Sequence, residues 1–400
     1  MRSLLRRNAV FKNLWLAQAG SWFGDYFNNV ALAAVTLSLT GSAAAMGLVL
    51  LCRGVPAFVA GPLWGPAIDR WPKRAVLYTT DLVRAAVALS FILAYDRHQM
   101  WILYAGSALL GTCSSLFQPA RQAAVRQVVP VADLVPANAL GTGTAGFVAV
   151  LGAAGGGLVS TLVSPDIAFV VNAASYLWSA GWILAASWRE AAPPPGARAG
   201  YLAQLTAGAR ALAGQRVVLA VVVASMGFAL TSGPYYVAPP VLGDLVYGMG
   251  GLGIGLLFAA DGLGFIVSSA LLRRVPPSRL RSVYGGSYFV QAVFLCLLCL
   301  STRLWEGMAA IFVSQVAAGA ILTLTTAFLQ RHAPQDVQGR VFAVQSAASG
   351  ALGQASIAVS GLVMARYGVA AVGLPVALVC LAAGTLWLSL TAGESVAVAA

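Results

Sequence analysis

The sequence predicts an all-α membrane protein of twelve transmembrane helices arranged as two six-helix bundles, and three observations lead there. Only 9% of the residues are charged while 59% are hydrophobic, and mean hydropathy is +0.82. A soluble domain carries about 25% charged residues, so this chain cannot cover a globular surface with polar groups. Its apolar residues gather in long stretches, each near the roughly 20 residues that cross a bilayer as helix. Its basic residues gather in alternate connections between those stretches.

We read the spans at roughly 12–38, 43–66, 75–95, 100–122, 136–163 and 166–188, then roughly 217–242, 249–272, 283–302, 305–330, 340–364 and 367–391. Of the 24 Lys and Arg, only Arg97, Arg303 and Arg366 fall in the connections assigned outside, and Arg53 and Arg84 fall within spans. The remaining 19, from Arg2 and Lys12 through Arg126 and Arg210 to Arg340, fall inside when both termini are cytoplasmic. Positive charge stays on the cytoplasmic side, so the opposite orientation is rejected. The net charge of +12 would suggest a nucleic-acid partner in a soluble protein. Here orientation accounts for it, and no nucleic-acid partner is expected. The start of the chain imitates a secretory signal, yet its apolar stretch is long and holds Asp25, so it is read as an uncleaved first helix.

The middle of the chain divides it. Residues 189–216 contain Pro193-Pro194-Pro195-Gly196, several charges and an amphipathic stretch from Tyr201 to Ala213. This is a cytoplasmic linker with a short surface helix between bundles 1–188 and 217–400. A weak repeat supports the division. Phe117-Gln118-Pro119-Ala120-Arg121 follows span four and Phe328-Leu329-Gln330-Arg331 follows span ten. The basic connection from Arg273 to Arg281 sits where the connection between spans two and three should recur, without its Asp.

That connection is Gly65-Pro66-Ala67-Ile68-Asp69-Arg70-Trp71-Pro72-Lys73-Arg74. It resembles the signature of major facilitator superfamily transporters, with Pro72 where the family usually has Gly and Ile68 where it has a small residue. Phe23-Gly24-Asp25, Phe117-Gln118-Pro119-Ala120-Arg121-Gln122-Ala123, Ala137-Asn138-Ala139-Leu140 and the pair Asp81 and Arg84 resemble the drug:proton antiporter-3 group, which includes macrolide and siderophore exporters. Bacterial lysophospholipid transporters share the Phe-Gly-Asp and Pro-Ala-basic elements. The resemblance implies a two-bundle fold acting as a single chain in a bacterial-type inner membrane. It also implies a gating latch built from Gly65, Asp69, Arg70, Lys73, Arg74, Asp81, Arg84 and Arg121. In span five, Gly152-Ala153-Ala154-Gly155-Gly156-Gly157 lacks the proline that antiporters of this superfamily often carry, and reads either as close helix packing or as a bend.

Ionisable groups at membrane depth are costly, about 2.5–3.5 kcal/mol or more on insertion scales, and therefore point to function. Asp25 lies about 20 Å along its helix from Lys12 at the helical rise. Arg53 and Asp261 lie at similar depth from Pro66 and Arg273. Asp25 either pairs with Arg53 as a structural ion pair or loses and gains a proton during transport. Arg53 either neutralises Asp25 or attracts an anion. Asp261 is either a proton or substrate contact or a hydrated structural group. Asn28, Asn29, Tyr235, Tyr236, Gln291, Gln315, Gln345 and Gln354 are candidates to line a cavity suited to bulky amphipathic ligands. Gly233-Pro234 and Pro239-Pro240 are expected to interrupt span seven.

Several chemistries drop out. The sequence holds no phosphate-binding Gly-x-x-x-x-Gly-Lys motif, and its only lysines are Lys12 and Lys73, so no nucleotide cofactor is expected. His98 and His332 fall in opposite connections, and Cys296 and Cys299 sit in Phe-Leu-Cys-Leu-Leu-Cys-Leu with no second ligand pair. No metal, cofactor or disulfide framework is expected, and the chain is not read as an enzyme. The expected partners are an amphipathic small molecule, protons and the lipid bilayer. The expected activity is proton-coupled efflux by alternating access. The alternatives are a lysophospholipid flippase without obligatory proton exchange and a membrane-embedded enzyme or scaffold acting on lipids. The last lacks any paired acid–base or metal constellation.

Overall fold

The connection between spans two and three is almost absent. Helix α3 (Ala43–Arg70) runs through Gly65 to Arg70, breaks only at Trp71–Pro72, and α4 (Lys73–Ser90) starts at once. Proline fixes φ and has no N–H to give, so Pro72 stops one helix and opens the next. This computed structural model describes residues 2–130, 133–188, 206, 210, 215–333 and 338–392. Of the expected linker helix from Tyr201 to Ala213 only residues 206 and 210 are described, and the surroundings of Gly65 and the side chains of Asp69 and Arg70 lie outside what it describes.

The chain forms two compact units, residues 1–197 with 243–259 and residues 198–242 with 260–400. In the first, a short α1 (Arg2–Arg7) precedes α2 (Ala9–Thr40), followed by α3, α4, α5 (Met100–Val128), α6 (Leu134–Leu162) and α7 (Pro165–Ala185). Local chemistry sets the ends. Asn8 accepts the N–H of Phe11 at 2.9 Å to open α2, satisfying a donor the first turn leaves free. Gly41, at φ 61°, closes α2 by donating its N–H to the Leu37 carbonyl, a left-handed conformation that suits glycine. Ser164 and Pro165 open α7.

In the second unit lie α8 (Arg216–Ala229), α9 (Ser232–Val241), most of α10 (Gly250–Leu272), α11 (Leu280–Leu300), α12 (Leu304–His332), α13 (Gln338–Tyr367) and α14 (Gly373–Leu390). Span seven is broken as Gly233-Pro234 led us to expect, one turn before Pro234, where proline leaves a carbonyl unbonded, but not at Pro239-Pro240. The break falls at Leu230–Thr231, while Ser232–Val241 is helical through Pro239 and Pro240 and widens to a π-turn over Leu242–Val246. Span four likewise continues as helix past Pro119 to Val128, so the Phe117–Arg121 motif lies within it.

Among the described residues ten helices are long and apolar enough to cross a membrane. Helix α2 has the length, 32 residues, but carries Asn13, Gln18, Asp25, Asn28 and Asn29 and is not one of the ten. Helix α3 is 28 residues long, and the part of it whose side chains are described, Ala43–Pro56, is apolar. Large apolar side chains face outward on many helices, among them Leu162, Trp101, Leu362 and Leu374, a surface that a bilayer and not water would cover.

Helix pairing repeats between the units. In the first, α4 packs on α5 and α7, and α2 packs on α6 and α7; in the second, α11 packs on α12 and α14, and α8 packs on α13 and α14. One arginine anchor recurs with the pairing. At the start of α4, Arg74 donates to the carbonyls of Ile183 and Leu184 at the end of α7. At the start of α11, Arg281 donates to Leu388 O and Thr391 Oγ1 at the end of α14, at 2.6 and 2.8 Å. Both occupy carbonyls a helix C-terminus leaves unpaired, with the charge the dipole favours. Arg97, one of the few basic residues assigned outside, closes α2 in the same way through Leu39 O and Thr40 O, both at 2.8 Å. The second unit centres on Tyr284, Tyr288, Phe328 and Trp387. Gly373 lies against Cys296 and Cys299, so this cysteine pair serves helix packing.

Candidate functional site

Helix α2 carries Trp15, Gln18, Trp22, Asp25 and Asn29 at alternating steps of three and four, so they share one face. This stripe organises the first unit's polar interior.

At its upper end, Asp25 Oδ1 lies 3.7 Å from the Arg53 guanidinium, and each side chain is about one quarter exposed. Arg53 also donates to Asn29 Oδ1 at 2.5 Å, and the Tyr176 hydroxyl of α7 donates to Asp25 Oδ1 at 2.6 Å. The predicted pairing of Asp25 with Arg53 is therefore present, extended by a tyrosine that sequence reading missed. Helix α5 approaches α3 here through Gly111, where a Cβ would strike the Arg53 carbonyl. Helix α6 approaches α2 through Gly152, Gly155 and Gly156, which face Tyr26 and Phe27. The Gly152–Gly157 run thus provides close packing.

Asp81 and Arg84 pair at 3.3 Å in the bundle interior, with side-chain exposures of 0% and 5%. The Arg84 guanidinium lies 4.4 Å from the Phe117 ring centre and 5.6 Å from that of Tyr176, an attractive placement for a cation over aromatic faces. Tyr176 thus meets Asp25 with its hydroxyl and Arg84 with its ring. Lys73 is buried and donates to Trp71 O at 3.0 Å.

At the lower end of the stripe a cavity of about 630 Å³ opens between α2, α5 and α6. Trp15, Gln18, Trp22, Arg121, Gln122 and Arg126 line it together with Phe11 and Leu14. Arg121 reaches over Trp22, 5.7 Å from the ring centre, and its Nε donates to Gln118 Oε1 at 3.4 Å. Trp15 is steadied by donating to Thr144 Oγ1 at 2.9 Å.

The second unit holds a smaller cavity of about 170 Å³, lined by Tyr235, Tyr236, Gln291, Gln315, Phe228 and Phe265 among others. Beside it the Tyr235 hydroxyl bonds both Asp261 oxygens, at 3.1 and 3.0 Å, and Ser314 donates to Gln291 at 3.1 Å. The remaining cavity candidates sit elsewhere. Asn28 is fully buried with neither amide atom hydrogen-bonded, Gln345 donates to Ser225 and Ser349, and Gln354 keeps a buried, unbonded Oε1.

Sequence reading missed Trp15, Gln18, Trp22, Gln122, Arg126 and Tyr176. The first three were legible as continuations of the spacing through Asp25 and Asn29. Tyr176 has no local signal, being 151 positions from its partner.

Comparison with known proteins extends this picture. The uncharacterized MFS-type transporter YfiS of Bacillus subtilis (strain 168) is 24% identical over 400 residues, covering 96% of this chain and 92% of its own. The POT family transporter PepTSo superposes with a TM-score of 0.77 at 10% identity, over 96% of this chain and 98% of its own. A bacterial homologue of the iron transporter ferroportin, in an inward-facing state, gives 0.73 at 15% identity, over 97% and 99%. At these identities the likeness to solved structures carries the fold alone. The family model described as Major Facilitator Superfamily matches residues 14–358, through α2, both polar interiors and most of α13, so this chain belongs to that superfamily and is a multi-pass membrane transporter.

Proposed function

We propose that this transporter exports an amphipathic small molecule in exchange for protons, by alternating access of two six-helix bundles, 1–188 and 217–400, joined by residues 189–216. In this reading the chain crosses a bacterial inner membrane twelve times as a monomer, with both termini cytoplasmic. The observation that carries it is Asp25. A carboxylate at membrane depth is expensive to keep, and this one is only partly enclosed. It meets a guanidinium at 3.7 Å and a phenol at 2.6 Å. Such a group can be reached by a proton, and its protonation releases Arg53 from its counter-charge. Asp261, held by Tyr235 alone among the described residues, is the second coupling candidate. Gly65, Asp69, Arg70, Lys73 and Arg74 serve as the gating segment in this reading, at the short connection between α3 and α4.

The test is proton movement in everted vesicles holding a pH gradient, with drugs, siderophores and lysolipids added singly to wild type, Asp25→Asn and Asp261→Asn. Substrate-triggered loss of the gradient that one variant abolishes identifies the coupling acid. If no ligand disturbs the gradient while labelled lysolipid still crosses, exchange is wrong and a lysophospholipid flippase takes its place.

A further inference from the structure

We infer that the cavity between α2, α5 and α6 is a binding site for amphipathic anions, with Arg121 as the group that selects the charge. This rests on the transport reading for its biological meaning, and it narrows the substrate class to a carboxylate or phosphate monoester carrying an apolar body.

Three observations carry it. The first is unbalanced charge: the lining includes Arg121 and Arg126 and no Asp or Glu. Among the described residues neither arginine has a carboxylate within ion-pair distance, whereas Arg53 and Arg84 each do. A partly enclosed cation without a counter-charge favours an anion, since attraction between charges strengthens as water is excluded. Arg121 is also pre-set, because Trp22 and Gln118 hold its guanidinium and a planar fork suits carboxylate and phosphate oxygens.

The second is Gln18. Its side chain lines the cavity, is only 4% exposed, and its Oε1 has no hydrogen-bond partner. Leaving a buried polar atom unpaired costs free energy, so nearly all such atoms find partners. A ligand carrying its own polar head, or a water held with it, supplies the missing one. The amide can present either its oxygen or its nitrogen to the cavity, because the two ends are interchangeable by rotation.

The third is the apolar remainder. Phe11, Leu14, Trp15 and Trp22 of α2 supply apolar lining, and a volume of about 630 Å³ falls in the range of sites for drug-sized molecules. A small inorganic anion would leave most of that lining wet, whereas a chain or ring system would cover it. The anion site also lies on the same face of α2 as Asp25. Gln18 and Asp25 are seven residues apart, about 10 Å along the helix, so ligand and coupling acid are neighbours without competing for the same atoms.

The experiment is equilibrium binding to the full chain in phosphatidylcholine nanodiscs, corrected with empty discs. The probes are dodecyl phosphate, dodecanoate, dodecyltrimethylammonium and inorganic phosphate. The anionic amphipaths should bind saturably. Arg121→Gln should weaken them at least about tenfold, as expected for a lost charge-assisted hydrogen bond, with Arg121→Lys intermediate. Gln18→Leu, which conserves shape, should weaken them about two- to tenfold, so the inference stays testable if Arg121→Gln fails to fold. Tighter binding of dodecanoate assigns a carboxylate, and tighter binding of dodecyl phosphate assigns a phosphate monoester. The inference is overturned if the ammonium amphipath binds as well as the anions. It is also overturned if inorganic phosphate displaces them at equal concentration, or if both variants bind like wild type. Substrate-driven proton movement by a cationic drug alongside absent anion binding would sink this inference alone. Anion binding with no proton movement for any ligand would sink only the exchange reading.

Discussion

Gly111→Ala tests how the Asp25 centre is held in place. A Cβ at this position of α5 would lie 2.9 Å from the carbonyl carbon of Arg53, 3.2 Å from its Cα and closer still to its oxygen. These are backbone atoms, so no side chain can swing aside, and α3 must retreat by about 0.5–1.5 Å to restore ordinary contact. Overpacking of this kind costs about 1–3 kcal/mol. Alanine in a helix interior returns about 1 kcal/mol through propensity, so the fair reference is Gly181→Ala in α7, where an added Cβ meets nothing within 4 Å. The two variants should differ by about 1–3 kcal/mol, or roughly 2–7 °C if the first unit melts as a block of about 200 residues. The retreat of α3 also lengthens the 3.7 Å contact between Arg53 and Asp25. The assay is thermal unfolding in detergent followed by a thiol-reactive dye. Cys113, 5% exposed and two residues from Gly111, gives a local signal. Equal melting of the two alanine variants, with no faster labelling of Cys113, would refute the close-approach argument.

Two further predictions concern the interior of the first unit. Arg84→Ala removes the partner of a buried Asp81 and should destabilise by about 3–5 kcal/mol, whereas the double change Asp81→Leu with Arg84→Met should melt well above the single variant. A double variant no more stable than Arg84→Ala would show that the pair is not what its burial implies. Tyr176→Phe keeps the ring beneath Arg84 but deletes the hydroxyl on Asp25, and should cost about 1.5–3 kcal/mol, the worth of a hydrogen bond to a charged group. Unchanged melting would mean that water replaces the hydroxyl without loss.

The sequence anticipated the helices of both units to within a few residues at most ends. It did so because crossing a bilayer is a local property, summed over about 20 consecutive side chains. It erred where a residue's usual effect was overridden. Pro239 and Pro240, expected to interrupt span seven, sit inside a helix, since a helix in a bilayer is held by neighbours and the bilayer's intolerance of open backbone outweighs the missing bond. The break at Leu230 is the expected interruption by Pro234, which has no N–H for the carbonyl four residues earlier and crowds it; the Ser356 hydroxyl donates to that carbonyl instead, at 2.5 Å.

The sites divide in the same way. The ion pair between Asp25 and Arg53 was foreseeable, because two opposite charges at one depth in adjacent spans have few other places to go. The stripe Trp15, Gln18, Trp22, Asp25 and Asn29 was present as helical spacing. By itself, then, the sequence determined the class of protein, the course of the helices and which helix carries each interior charge. Tertiary structure decided which of those charges are answered. Tyr176 finds Asp25 across 151 positions, Arg84 is enclosed with Asp81 under two aromatic rings, and Arg121 is left facing a cavity without a carboxylate. The physical reason is that apolar burial acts along one helix, whereas pairing a charge requires two helices to meet at the right height and rotation.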